Sequence, residues 1–456
     1  MEELELALVP DTLDALTRAL DEVRHRHVAG LEPEPDVAGP FTAHGAAAHR
    51  RTVTALREAG DAPLAARVAA LRAERAQAEA EARWRALEAG VSVVRRAHEL
   101  PGAGAATLAE LELAGLRERD PERRHALARA AAGALEPAAA AREAAVEARA
   151  RARAEVGLAP EWPAVVEGDG VLAATDDAWR DVLAFHVREA LPGVEPRALT
   201  RADLLALLAL PRWDGHFRAG MLAIGVRATL GPLGLDGGRV RVDDAGRPAQ
   251  WPGAHATGAR VSFRPRGGAN DWQDLFAALG RAHAAAARRP HRREPLLAEA
   301  VAWLLASVLE EPRWLAERAD VDRPRARDAV RALALRRLFA LRADAAALRV
   351  ATEVERGLSG AAWREAHREA LHAATGAAWE GVRASRDGDA GALAARVQGA
   401  GAGEALRREV RERFDEDWWR NPRTGPWLGA LLADGPAPDP REGAPADAAR
   451  ALAAAF

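Results

Sequence analysis

Carboxylates and imidazoles at metal-ligand spacing are scarce in this chain. Glu365, Glu369 and His372 fall at i, i+4 and i+7 and so share one face of a helix. An E-x-x-H of this kind occurs in di-iron bundles, but a solvated helix face with an i, i+3 contact accounts for the same residues and is preferred. His98-Glu99 opens like a metal-binding H-E-x-x-H run, yet the second His is missing and Pro101 breaks the helix that would carry it. The basic loop Arg288-Arg289-Pro290-His291-Arg292-Arg293 would repel a cation from His291. Cysteine, lysine and tyrosine are absent altogether. Disulfides, thiolate chemistry, lysine amines and tyrosine hydroxyls are therefore all excluded.

The elements that must position any site are mostly helical. The chain has 456 residues, 49% of them hydrophobic, enough for a large core or two packed lobes. Ala, Leu, Arg and Glu dominate, which favours helices. A net charge of -3, from 64 basic and 67 acidic residues, argues against a nucleic-acid partner. The apolar runs, such as Leu204 to Leu210, are too short to cross a membrane, and the acidic start Met1–Glu5 is unlike a secretory signal. The expected location is the cytoplasm. Asp61 with Pro63 opens one helix, and Asp120-Pro121 opens another that Pro137 is expected to break or kink. Thr175 is expected to cap a third, and Thr200 with Asp203 forms a capping-box start ended by Pro211. Strands are predicted in one region, at Arg239–Val242 and Arg260–Arg264, which alternate with period two between Gly- and Pro-rich turns. Beyond Asp434 the Pro- and Ala-rich composition predicts a flexible tail with a short terminal helix.

The segment after the second strand is the most informative. A Gly-Gly turn leads into a helix beginning near Asp271, with Trp272, Leu275, Phe276 and Leu279 on its apolar face. A second helix follows, containing Ala298-Glu299-Ala-Val-Ala-Trp303-Leu-Leu, and ends at Glu311-Pro-Arg-Trp314-Leu315. This layout resembles the thimet oligopeptidase and oligoendopeptidase F group of zinc metallopeptidases, in which an H-E-x-x-H helix follows a strand and a third ligand, Glu, lies on the next helix. The resemblance extends to Phe414–Gly425, weakly to His25–Leu31, and covers the chain up to about Gly435. It implies a mainly α, two-lobed metallo-oligopeptidase-like fold with a deep cleft and a small β-sheet at the cleft rim. The lobes would be 1–210, a helical N-terminal half, and 211–433, a degenerate peptidase half, with 434–456 as the tail.

Carried onto this sequence, the resemblance places the two zinc-binding His at Ala277 and Arg281, and the general-base Glu at Ala278. Of the site, Glu299 alone survives as the third ligand. The tyrosine that such enzymes use late in the chain falls at Leu393 or Val397. An Ala methyl neither binds a metal nor moves a proton, so no catalytic residue is intact and no metal or other cofactor is expected, although active relatives carry zinc. A carboxylate left facing an empty site needs a partner, and an Arg281–Glu299 ion pair is predicted in place of the metal. In this family a strand beside the zinc helix pairs with the extended substrate, a role that would fall on Arg260, Ser262 and Arg264, read as an edge strand. Trp303, Trp314, Trp418 and Trp419 are read as core. The preferred reading is a catalytically inactive pseudo-peptidase that binds a peptide or partners an active paralogue, with no nucleic acid or membrane involved. The alternatives are an active zinc metallopeptidase with displaced ligands, and a helical structural or interaction protein with no cleft function.

Overall fold

The computed structural model describes residues 6–45, 48–91, 108–158, 163–247, 249–387, 389–435 and 443–456. His98, Glu99 and Pro101 lie outside them. The first half holds α1 (Val9–Val28), α2 (Gly39–His44), α3 (Arg50–Glu58), α4 (Ala62–Val91), α5 (Leu108–Arg117), α6 (Pro121–Glu155), α7 (Pro163–Ala190), α8 (Arg201–Leu208) and α9 (Ala219–Leu230). Three strands follow, β1 (Arg241–Asp243), β2 (Gly253–Thr257) and β3 (Arg260–Arg264). The remainder is α10 (Ala269–Ala287), α11 (Pro295–Ser307), α12 (Pro312–Arg318), α13 (Arg323–Glu355), α14 (Gly360–Thr375), α15 (Ala390–Phe414), α16 (Thr424–Asp434) and α17 (Pro445–Ala453).

Local chemistry explains most helix starts. Asp120 accepts the Arg123 N–H at 3.0 Å, and Thr200 and Asp203 cap each other's backbone in a complete capping box. Two helix boundaries expected from sequence, a break at Pro137 and a cap at Thr175, do not occur. Pro137 sits inside α6, which runs on to Glu155. Its neighbours Ala138 and Ala139 are buried, and packing along α4 outweighs the one backbone bond that proline removes. Thr175 is interior to α7, where its hydroxyl donates to the Val171 carbonyl at 2.8 Å and accepts from Arg342 at 2.6 Å.

The sheet order is β1-β3-β2, with β3 parallel to β1 and antiparallel to β2. The strand Arg260–Arg264 is thus central, where sequence placed it at an edge. Ser262 is fully buried and bonds Gln250. Arg260 pairs with Glu22, and Arg264 donates to the Gln250 carbonyl at 3.0 Å. The missing strand was β2, Gly-Ala-His-Ala-Thr, whose residues carry little β-propensity.

α10, α11 and α15 pack on one another through glycines. A Cβ at Gly280 would lie 2.7 Å from the Ala302 backbone, and one at Gly399 would strike Glu299. Trp272, Trp314, Trp418 and Trp419 are buried in the core below this layer, while Trp303 is half-buried under the Arg337 guanidinium. A second core joins α7 and α8 to α13, α14, α15 and α17, so the segment 163–208, grouped by sequence with the first lobe, shares its apolar residues with the second. Within the tail, α17 is not loose: Ala448, Ala449 and Leu452 are buried in that core.

α1 links the halves by charge. Asp14 is buried and accepts from the His291 backbone at 2.8 Å, the His291 ring at 2.9 Å and Arg289 at 2.7 Å. Burial alone would raise its carboxyl, but these donors hold it below the ordinary range. Asp21 takes Arg293 at 2.6 Å. On the other side, Arg24 grips Glu81 and Glu74 of α4, each at 2.9 Å. The basic loop after α10 is thus docked on the acidic stripe of α1.

Candidate functional site

A cavity of about 680 Å³ separates α4 and α6 from α10, α11 and α15. Arginines reach it from both walls, among them Arg24, Arg142, Arg149 and Arg281, and Glu299 lies at its floor. Arg142 is held by Glu88 at 2.6 Å and stacks on Trp84 at 3.6 Å from the ring centroid. Arg149 pairs with Asp389 at 2.6 Å.

The ion pair predicted at the floor is present. Arg281 Nε and Nη2 donate to the two Glu299 oxygens at 2.8 Å each, a parallel two-point contact. α10 offers Arg281 and α11 offers Glu299, and the close approach at Gly280 and Gly399 brings them together. Burial works against both charges. Their mutual attraction wins, raising the Arg281 guanidinium and lowering the Glu299 carboxyl from ordinary values. Arg396, itself clamped on Asp344 at 2.8 and 2.9 Å, adds to the field on Glu299.

Ala277 precedes Arg281 by one turn and is partly exposed, whereas Ala278 is fully buried. Neither can donate a lone pair. Leu393 and Val397 are buried in the core of α15, and the cavity is instead lined by Gly391, Ala392 and Ala395 of that helix. These residues do not fit a zinc ion: both Glu299 oxygens are bound by a guanidinium, and no grouping of three His, Cys, Asp or Glu side chains able to hold a metal occurs among the described residues. Glu365, Glu369 and His372 all stand exposed on α14, with Glu365 taken by Arg368.

β2 supplies the free edge. Thr257 and Arg260 flank a two-residue turn with Gly258 at φ +57, the position that favours glycine in hairpins. Hydrogen-bonded pairs then alternate back from Thr257, so the backbone groups of Ala254 and Ala256 point away from β3. No backbone partner meets them among the described residues, and Ala256 borders the cavity. Thr257-Gly258 before the predicted strand was the sequence signal for this hairpin.

No protein-family model matches the sequence, and no curated protein matches it either. Solved structures do. A structure of PZ peptidase A with an inhibitor superposes with a TM-score of 0.53 at 13% identity, covering 92% of this chain and 85% of that one. A protein assigned as an oligoendopeptidase F from Bacillus anthracis gives 0.51 at 13% identity, with coverage of 92% and 82%. The fold is an oligopeptidase fold. Sharing it does not carry chemistry across, because a fold hosts whatever site its residues build.

A second feature of the oligopeptidase-like frame went unforeseen. One end of α10 carries Asp274, two turns before Arg281, and two arginines converge on it: Arg266, and Arg336 at 2.6 Å. Arg336 is 62 residues away in sequence, on α13, so no local spacing could announce the cluster.

Proposed function

We propose that this chain is a peptidase-fold protein that holds an extended peptide and does not cut it. The observation that carries the proposal is the closed Arg281–Glu299 contact. In the enzymes that the sequence resembles, the equivalent Glu completes a zinc site whose bound water is activated by a neighbouring carboxylate. Here the positions aligned with the other ligands and the base are Ala277, Arg281 and Ala278, and the guanidinium takes the place of the cation. Charge at the floor is neutralised without a metal and without a group that can move a proton.

Peptide holding is supported by the outer edge of β2. Its N–H and C=O groups at Ala254 and Ala256, which meet no backbone partner among the described residues, suit strand addition, and Ala256 borders the adjoining cavity. A partner protein presenting such a strand, including an active paralogue, would use the same groups.

The test has two parts. Quenched fluorescent peptides incubated with the protein and added zinc should show no turnover above a zinc-only control. Chelator-sensitive cleavage that disappears in Glu299→Ala would overturn the proposal. A labelled Ala-rich peptide should bind by fluorescence polarisation, and Ala256→Pro, which removes one outward N–H, should weaken it about tenfold. Equal binding by the variant would remove β2 from the account.

A further inference from the structure

A second cavity, of about 480 Å³, lies at the other end of the α10 stripe, between α5, α6, α8 and α13. That is within the usual size of small-molecule sites. Its walls are apolar: Leu111, Leu116, Leu127, Leu205, Trp251 and Phe339. Its floor is not. Arg266 and Arg336 both line it, and both lean on the single carboxylate of Asp274.

The donors at this floor are not all used. Arg336 spends one further donor on the Gln273 side-chain oxygen at 2.7 Å, a neutral partner. Asp271 behind them is occupied by the Arg266 and Gly267 backbone N–H groups at 2.7 Å each; burial pushes its carboxyl up, and its charge acts on both guanidiniums. Three other arginines of the lining have their own acids: Arg124 holds Asp203 at 2.6 Å, Arg383 holds Glu112 at 3.0 Å and Arg337 holds Glu310 at 2.6 Å. Two guanidiniums bonded to one side-chain carboxylate leave donor capacity over. Burial lowers both, each to about 10, with Arg336 adding to the effect on Arg266. An incoming anion would relieve this.

Unused hydrogen-bonding capacity points the same way. Arg266 lines the cavity, and its Nε, a donor, is buried with no partner among the described residues. An unmade bond of this kind is costly in a finished core.

We infer that this cavity is a binding site for a carboxylate carried on an apolar body, the acid group meeting Arg336 and Arg266 and the body lying among Leu111, Leu127 and Phe339. A planar carboxylate matches the fork of a guanidinium, and the walls reject a ligand that is polar throughout. Two sources offer this chemistry: a free amphipathic acid, and the C-terminus of a peptide ending in apolar residues. The site does not depend on whether the protein cleaves peptides.

Isothermal titration with dodecanoate, with N-acetyl-Leu-Phe as the free acid, and with its amide separates the cases. At least one acid should bind, and the amide at least about tenfold more weakly. Arg336→Gln should erase the preference for the acid. Because Arg336 also ties α13 to α10, a second variant is needed: Ala128→Trp fills the cavity from α6 without touching the charges, and should abolish binding while leaving the melting temperature unchanged. Binding by dodecanoate alone would assign the site to free acids, and binding by the peptide acid alone to chain ends. Equal affinity for acid and amide, binding that survives Ala128→Trp, or no binding by either acid would each overturn the inference.

Discussion

The two ends of α10 solve the same problem in opposite ways. At Arg281 one guanidinium meets one carboxylate in a complete two-point contact. At Asp274, two turns earlier, two guanidiniums share one carboxylate and leave donors over. Both sites lie on one helix face, are partly buried and contain arginine and an acid. Composition therefore says little about what such a cluster is for; the balance of donors and acceptors says more. A closed pair has nothing left to offer a ligand, and a surplus has.

The largest effect that should break this contrast is Gly280→Val. Its side chain would meet the Ala302 backbone, force α10 from α11 and part Arg281 from Glu299; we expect a loss of about 3 kcal/mol in urea unfolding. Removing one partner comes next. Arg281→Met leaves Glu299 uncompensated, and should cost about 2 kcal/mol, less than a fully buried pair because Arg281 is a third exposed. Arg281→Met with Glu299→Leu should recover most of that loss, since an apolar pair of similar size is often neutral. Additive single-variant losses would mean that the two residues are not coupled.

Acid should reveal the same pair. The folded-state Glu299 carboxyl lies below its ordinary value of 4.5, so its contribution is full above that value and is lost as pH falls through the lower folded value. The stability difference between the wild-type protein and Glu299→Gln should shrink steadily below pH 4.5 and be constant above it. A gap that widens on acidification would contradict the assignment. The smallest effect is expected from metal. If Glu299 is closed by Arg281, neither EDTA nor added zinc should move the melting temperature, because a metal that binds only the folded state would raise it.

Much of this was legible in the sequence. Thr200 with Asp203 and Asp120 before Pro121 announce their helices because a cap is a local bond between neighbours. The resemblance carried by the two-helix pattern around Leu275 and Glu299 gave the layer that positions the site, and the alignment that set Arg281 at a zinc-ligand position beside Glu299 gave their pairing. What stayed hidden depends on contacts distant in sequence. Pro137 read as a break or kink and Thr175 as a cap, yet α6 runs on against α4 and the Thr175 hydroxyl is taken up inside α7 by Val171 and Arg342. β2 has too few β-branched residues to stand out, and without it β3 passed for an edge. Arg336 joins Arg266 and Asp274 only through the packing of α13 on α10. The docking of α17 was hidden for the same reason, since Ala448 and Leu452 find their core far upstream.

α1 gives the arginine-lined cavity a character that its lining alone does not. Its 20 residues form a rod about 30 Å long, gripped on one side by the loop after α10 and on the other by α4. Both walls hang from that strut, so the opening keeps a set width. A guest would find the space already shaped and lose little in ordering it. Contacts along the groove would then govern how long a guest stays.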